Sequence, residues 1–249
     1  MVSGFITAAT EWHGEMLDCN AASAGIESRM IRTLFPLILA ASMVAAGQPP
    51  EMQKEKAAYG RPALIETSQL IEFATLPEDR KKLIEGAVAV ARDSAWLPYR
   101  FGGSDPKDGG FDCSGAMYFV MRKAGLDPPR TSAEQFLWLN ENGRLTGISP
   151  SVKSLDHPEM KGLLPGDLLF WGGTYIPVTG QKVNITHVAL FLGHEKKDRR
   201  AVMINATDGR SYRGTKSNGY GIYDFQLPRE GSKAFFMGYG TPPGIAEVR

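Results

Sequence analysis

The sequence holds two cysteines, Cys19 and Cys113, and the second stands where a nucleophile would be put. Cys113 follows the glycine-rich run Asp108-Gly-Gly-Phe-Asp and directly precedes a segment of helical period, so it falls at a helix start. Backbone N–H groups and the helix dipole at that position favour a thiolate, the reactive form of the side chain. A lone cysteine is otherwise a small buried hydrophobe. Asp112 and Ser114 flank this one with polar groups on both sides, which argues against a plain core position. His187 opens the apolar run His-Val-Ala-Leu-Phe-Leu, a strand mouth from which an imidazole could serve Cys113 as base. His194 lies in a charged turn and reads as solvated, and His157 as a surface loop residue. A base needs an orienting partner. Asn205, in Val202-Met-Ile-Asn-Ala, suits that role better than Asp208, whose Thr-Asp-Gly context is a turn signal in its own right.

Elements of two kinds must position these groups. From Glu78 the apolar residues Leu83, Ile84, Ala87, Val88 and Ala91 recur near every 3.6 positions, which predicts a helix ending before Pro98. A second helix is expected over 113–123, with Ala116, Phe119, Val120 and Ala124 on its apolar side and Gly125 capping its end. Strands are expected at 167–171, 186–192, 201–206, 221–225 and 233–239, each a short run rich in large apolar residues. Helices followed by antiparallel strands predict one α+β domain.

Composition bounds the function. With 249 residues, 43% hydrophobic and 22% charged, the chain can bury a sizeable core, and its net charge of +1 argues against a nucleic-acid partner. Two cysteines exclude a disulfide framework and a cysteine-rich zinc site, and the four histidines lack the paired spacing of a zinc protease. Met30-Ile-Arg-Thr followed by an apolar stretch to Ala46 has the layout of a secretory signal. The stretch is too short to span a bilayer. Residues 1–46 are therefore expected to be an extension plus signal, with the true start at Met30; the other reading makes them a buried N-terminal element. Export would leave a mildly basic mature chain with no membrane span and Cys113 as an unpaired thiol. Residues 47–77, with four prolines, read as a linker or packing arm, and 78–249 as the catalytic domain.

The motifs Trp96-Leu-Pro-Tyr-Arg-Phe-Gly-Gly, Phe111-Asp-Cys-Ser-Gly, Pro129-Arg-Thr-Ser-Ala-Glu-Gln, Leu164-Pro-Gly-Asp-Leu-Leu-Phe and Thr186-His-Val-Ala-Leu-Phe-Leu-Gly occur in this order. Together they resemble the NlpC-type family of bacterial cell-wall cysteine peptidases over roughly residues 78–240. The resemblance implies a papain-like α+β fold, a nucleophile helix packed on a small antiparallel sheet. It makes Cys113 the nucleophile, His187 the base and Asn205 the third member, where the family commonly has histidine. It puts Tyr99 at the oxyanion site and lines the substrate cleft with Asp112, Ser114 and Arg130. Helix capping by Asp112 and local pairing by Arg130 are their structural alternatives. An extra stretch between Trp171 and Thr186 is expected to wall the cleft. The implied activity is hydrolysis of the amide between γ-D-glutamate and a diamino acid in peptidoglycan stem peptides, with no metal or organic cofactor. Another thiol amidase or transpeptidase, or an inactive wall-binding module, fits the same residues. Oligomeric state stays open.

Overall fold

The computed structural model describes residues 59–177 and 180–247. The expected signal, its alternative, Cys19 and His13 all lie outside the described residues.

Helix α1 spans Glu78–Asp93 with Glu78 and Asp79 in its first turn and Arg92 in its last, charges that suit the helix dipole. Its buried face carries Leu83, Ile84, Ala87, Val88 and Ala91, the stripe expected from the sequence. Helix α2 spans Cys113–Lys123 and helix α3 Ser132–Glu141. Eight strands follow: β1 Leu145–Gly147, β2 Leu168–Gly172, β3 His187–His194, β4 Ala201–Thr207, β5 Ser211–Tyr212, β6 Thr215–Lys216, β7 Gly219–Asp224 and β8 Phe235–Gly240. Six of them form one antiparallel sheet in the order β1-β8-β2-β3-β4-β7, and β5 pairs with β6 alone. This is the α+β arrangement expected, with α2 packed on β3 and β4.

Alternation along the strands gives the sheet two apolar faces. Leu168, Phe170, Val188, Leu190, Val202 and Ile204 join the core with α1 and α2. Leu169, Trp171, Phe191, Met203, Tyr223 and Phe236 form a second cluster. Burial on both faces is why β2 and β3 read as unbroken apolar runs.

Arg80 on α1 is fully buried and ties the helix to the sheet. It donates to Pro165 O (2.7 Å), Asp167 Oδ1 (3.0 Å) and Thr241 Oγ1 (2.7 Å). Asp167 in turn accepts from Leu164 N and Thr241 Oγ1, so the Leu-Pro-Gly-Asp turn is locked where β2 begins.

Helix α3 and the short strands β1, β5 and β6 escaped the sequence reading. Helix α3 starts with a reciprocal capping box, Thr131 with Glu134, but its apolar residues lack a clean helical period. Strand β1 is three residues long, below what alternation can reveal. Residues 59–77 pack on the domain rather than lying free of it: Ile65, Leu70 and Leu76 are buried, and Ala63 and Leu70 bridge to Ile222 and Glu195. The expectation of a solvated His194 is corrected by this arm. His194 Nδ1 lies 2.5 Å from Glu72 Oε1, and His194 N donates to Glu72 Oε2. His157 is partly exposed and accepts from Glu159 N.

Candidate active site

The loop before α2 cradles its first turn. Asp112 is the N-cap, its Oδ1 accepting from Gly115 N at 2.6 Å and its Oδ2 from Gly102 N at 2.9 Å. Arg130 grips both oxygens, Nη1 to Oδ1 at 3.1 Å and Nη2 to Oδ2 at 2.8 Å, and also donates to Ser114 Oγ and Gly102 O. A Cβ at Gly115 would stand 2.0 Å from Gly103 O, so the Cys-Ser-Gly motif needs glycine for this close approach. Asp112, Ser114 and Arg130 thus come together as one network under the nucleophile's turn. Their contacts hold that turn in place, and both Asp112 oxygens are engaged within the protein.

Cys113 is buried, and the backbone N–H groups of Val188 on β3, of Ser114 and of Cys113 itself favour its thiolate. The helix-start argument predicts an acidic thiol, and the structure reverses it. Burial first, and the Asp112 carboxylate second, push the thiol up to about 12, and the three N–H groups do not win. His187, one residue before Val188, is buried too. Burial, then the positive charge of Arg210, hold its imidazole well below 6.5. At rest both groups are neutral.

Asn205 is fully buried and shares a sheet face with His187. With Leu190 opposite Ile204 in the β3–β4 register, the two are diagonal neighbours. Asn205 Nδ2 lies 2.6 Å from His187 Nε2, and Asn205 Oδ1 is buried without a partner. That contact engages Nε2, so a base role falls to Nδ1. Base function through Nδ1 puts the ring proton on Nε2, and half a turn of the amide gives that proton an oxygen to bind. Asp208, the alternative, follows β4 in the turn before Arg210.

Tyr99 is half-buried at the same site. Burial, then the nearby Cys113 and Asp112 groups, raise its phenol far above the usual value, so it remains a donor. Asn218 Oδ1 fixes its backbone, accepting from Tyr99 N at 2.8 Å. The stretch between Trp171 and Thr186 brings Tyr175 within electrostatic reach of Cys113 and Asp112, and exposes Ile176. The sequence reading missed Arg210, which lies in no motif, and gave Tyr175 no role beyond the stretch expected to wall the cleft. Among the described residues no group of His, Cys, Asp or Glu is placed to hold a metal ion, and no helix is long and apolar enough to cross a membrane.

A thiol at a helix start, a buried imidazole on the adjoining strand and an amide against that imidazole define the class: a thiol-nucleophile site on a helix-and-sheet scaffold. Residues 96–222 match the NlpC/P60 family, and the chain belongs to it. Over 121 residues it is 37% identical to the bifunctional muramidase/DL-endopeptidase CwlT of Bacillus subtilis, covering 48% of this chain and 28% of that one. Over 98 residues it is 34% identical to a gamma-DL-glutamyl hydrolase of the same organism, covering 39% and 18%. The chain therefore spans less than a third of the length of either relative. Among solved structures it is similar to the peptidoglycan hydrolase RipB of Mycobacterium tuberculosis, with 19% identity, a TM-score of 0.36 and coverage of 68% and 69%.

Proposed function

We propose that this chain is an exported cysteine peptidase that hydrolyses the amide between the γ-carboxyl of D-glutamate and the following diamino acid in peptidoglycan stem peptides. One arrangement carries the reading: Cys113 starts the helix that packs on β3, and His187, which opens β3, is held 2.6 Å from Asn205. The relatives' names, DL-endopeptidase and gamma-DL-glutamyl hydrolase, supply the bond. The signal-like run ending at Ala46 supplies the export.

The neutral pair sets the chemistry. His187 Nδ1 takes the thiol proton as the sulfur attacks the carbonyl carbon, since a thiol this weakly acidic does not ionise first. The oxyanion formed is met by the Cys113 N–H and the Tyr99 hydroxyl. The imidazolium then protonates the leaving amine, the C–N bond breaks and a thioester remains. Water, deprotonated by His187, attacks the thioester and releases the γ-D-glutamyl acid and the free thiol.

Digestion of muropeptides by the purified protein, read by mass spectrometry, tests this. The expected products are a fragment ending in γ-D-glutamate and one beginning with the diamino acid. Cys113→Ala is expected to lower the rate at least ~10³-fold. Identical treatment of muropeptides by both proteins would overturn the proposal, and product masses separate hydrolysis here from an amidase or transpeptidase acting elsewhere.

A further inference from the structure

Arg210 is the cation of the cleft that the mechanism leaves unused. It is half-buried just beyond β4, and its guanidinium carbon sits 4.4 Å from the centroid of the Trp171 ring. Trp171 stands directly opposite His187 in the β2–β3 register, with ring centroids 5.5 Å apart. The charge of Arg210 reaches both His187 and Cys113.

Neighbouring arginines are neutralised within the protein. Arg213 pairs with Glu195 and Asp198, Arg200 with Asp224, and Arg130 with Asp112. Among the described residues no carboxylate pairs with Arg210, and the ionisable groups that favour its charge are Cys113 and Tyr223. Both of these are uncharged at neutral pH, because burial raises each. A cation stacked on an indole and half withdrawn from water, with no counter-ion, is an incomplete pair. A planar guanidinium fork matches a carboxylate in two parallel hydrogen bonds.

The position fixes which half of a substrate would complete it. In the proposed reaction, His187 gives its proton to the leaving amine, so the amine half lies on the His187 side, where Trp171 and Arg210 are. We propose that Arg210 binds a carboxylate of the residue on the amine side of the scissile bond, so that the site selects a diamino acid bearing a free carboxylate. The inference rests on the peptidase reading above. Two carboxylates share this chemistry: the main-chain carboxylate where the stem ends at that residue, and the side-chain carboxylate of diaminopimelate, which lysine lacks.

The test uses L-alanyl-γ-D-glutamyl-diaminopimelate as the free acid, as its main-chain amide and as its side-chain amide. Each is cleaved by the purified full chain, by Arg210→Gln and by Arg210→Lys. The wild type is expected to prefer the free acid over one of the amides by at least ~10-fold in kcat/KM, chiefly through KM. The amide that loses identifies the carboxylate. Arg210→Gln is expected to abolish that preference, so that the free acid and the disfavoured amide are cleaved with the same kcat/KM, and Arg210→Lys to keep part of it. Equal cleavage of all three by wild type, or a preference surviving in Arg210→Gln, would overturn the proposal. So would an equal loss on all three substrates, which marks a structural role. Cleavage of none would instead sink the peptidase reading, and calorimetric binding of the same peptides to wild type and Arg210→Gln then decides the role of Arg210 by itself.

Discussion

At the scale of single residues the site depends on burial more than on dipoles. Position at a helix start argues for a thiolate at Cys113, yet loss of water around the sulfur and a carboxylate at the preceding residue outweigh three N–H groups. The same loss of water keeps His187 unprotonated well below 6.5. This has a measurable consequence for folding. The unfolded chain takes up a proton on His187 below about pH 6.5, whereas the folded protein does not. Stability therefore falls as pH drops through that value, by up to about 1.4 kcal/mol per pH unit from this group. His187→Gln is expected to flatten the slope of unfolding free energy between pH 5 and 6.5, measured by denaturant titration. A slope equal to that of wild type would show that the imidazole protonates freely in the fold.

At the scale of elements, the turn that carries the nucleophile is held by charge as well as by packing. Asp112 caps α2, binds the Gly102 N–H and pairs with Arg130, which also spans to Ser114 and the Gly102 carbonyl. An exposed cap contributes about 1 kcal/mol, whereas breaking a largely buried pair strands the remaining charge. Asp112→Ala is expected to cost about 2–4 kcal/mol. The double variant with Arg130→Met should cost less than the two single changes combined, because no charge is left stranded. Additive losses in chemical unfolding would show that the two side chains act independently.

At the scale of the whole molecule, the segment before α1 is part of the core. Leu70 is 1% exposed, its backbone bridges to Glu195, and Glu72 two residues on pairs with His194 at the end of β3. Leu70→Ala is expected to cost about 2–5 kcal/mol, the range for truncating a buried leucine. If residues 59–77 were only a tether, thermal unfolding would barely move. Strand β3 is thus gripped at both ends, by the arm at His194 and by Asn205 at His187, which limits the freedom of the base.

What the amino-acid order by itself determined is the local grammar. Helix α1 and its buried stripe, the start of α2 at Cys113, the apolar runs of β2 to β4 and the preference for Asn205 over Asp208 all rest on period, caps and turn residues. These depend on near neighbours in the chain. Helix α3 went unread because its capping box precedes an apolar run without helical period, and the choice between linker and packing arm stayed open because prolines break any period around the three buried anchors of 59–77. Only the tertiary structure decided which groups meet. It put Arg210 and Tyr175 near the thiol, paired Glu72 with His194, buried Arg80 against Asp167 and turned an expected thiolate into a neutral thiol. Each of these outcomes depends on residues distant in sequence, and no local pattern records that.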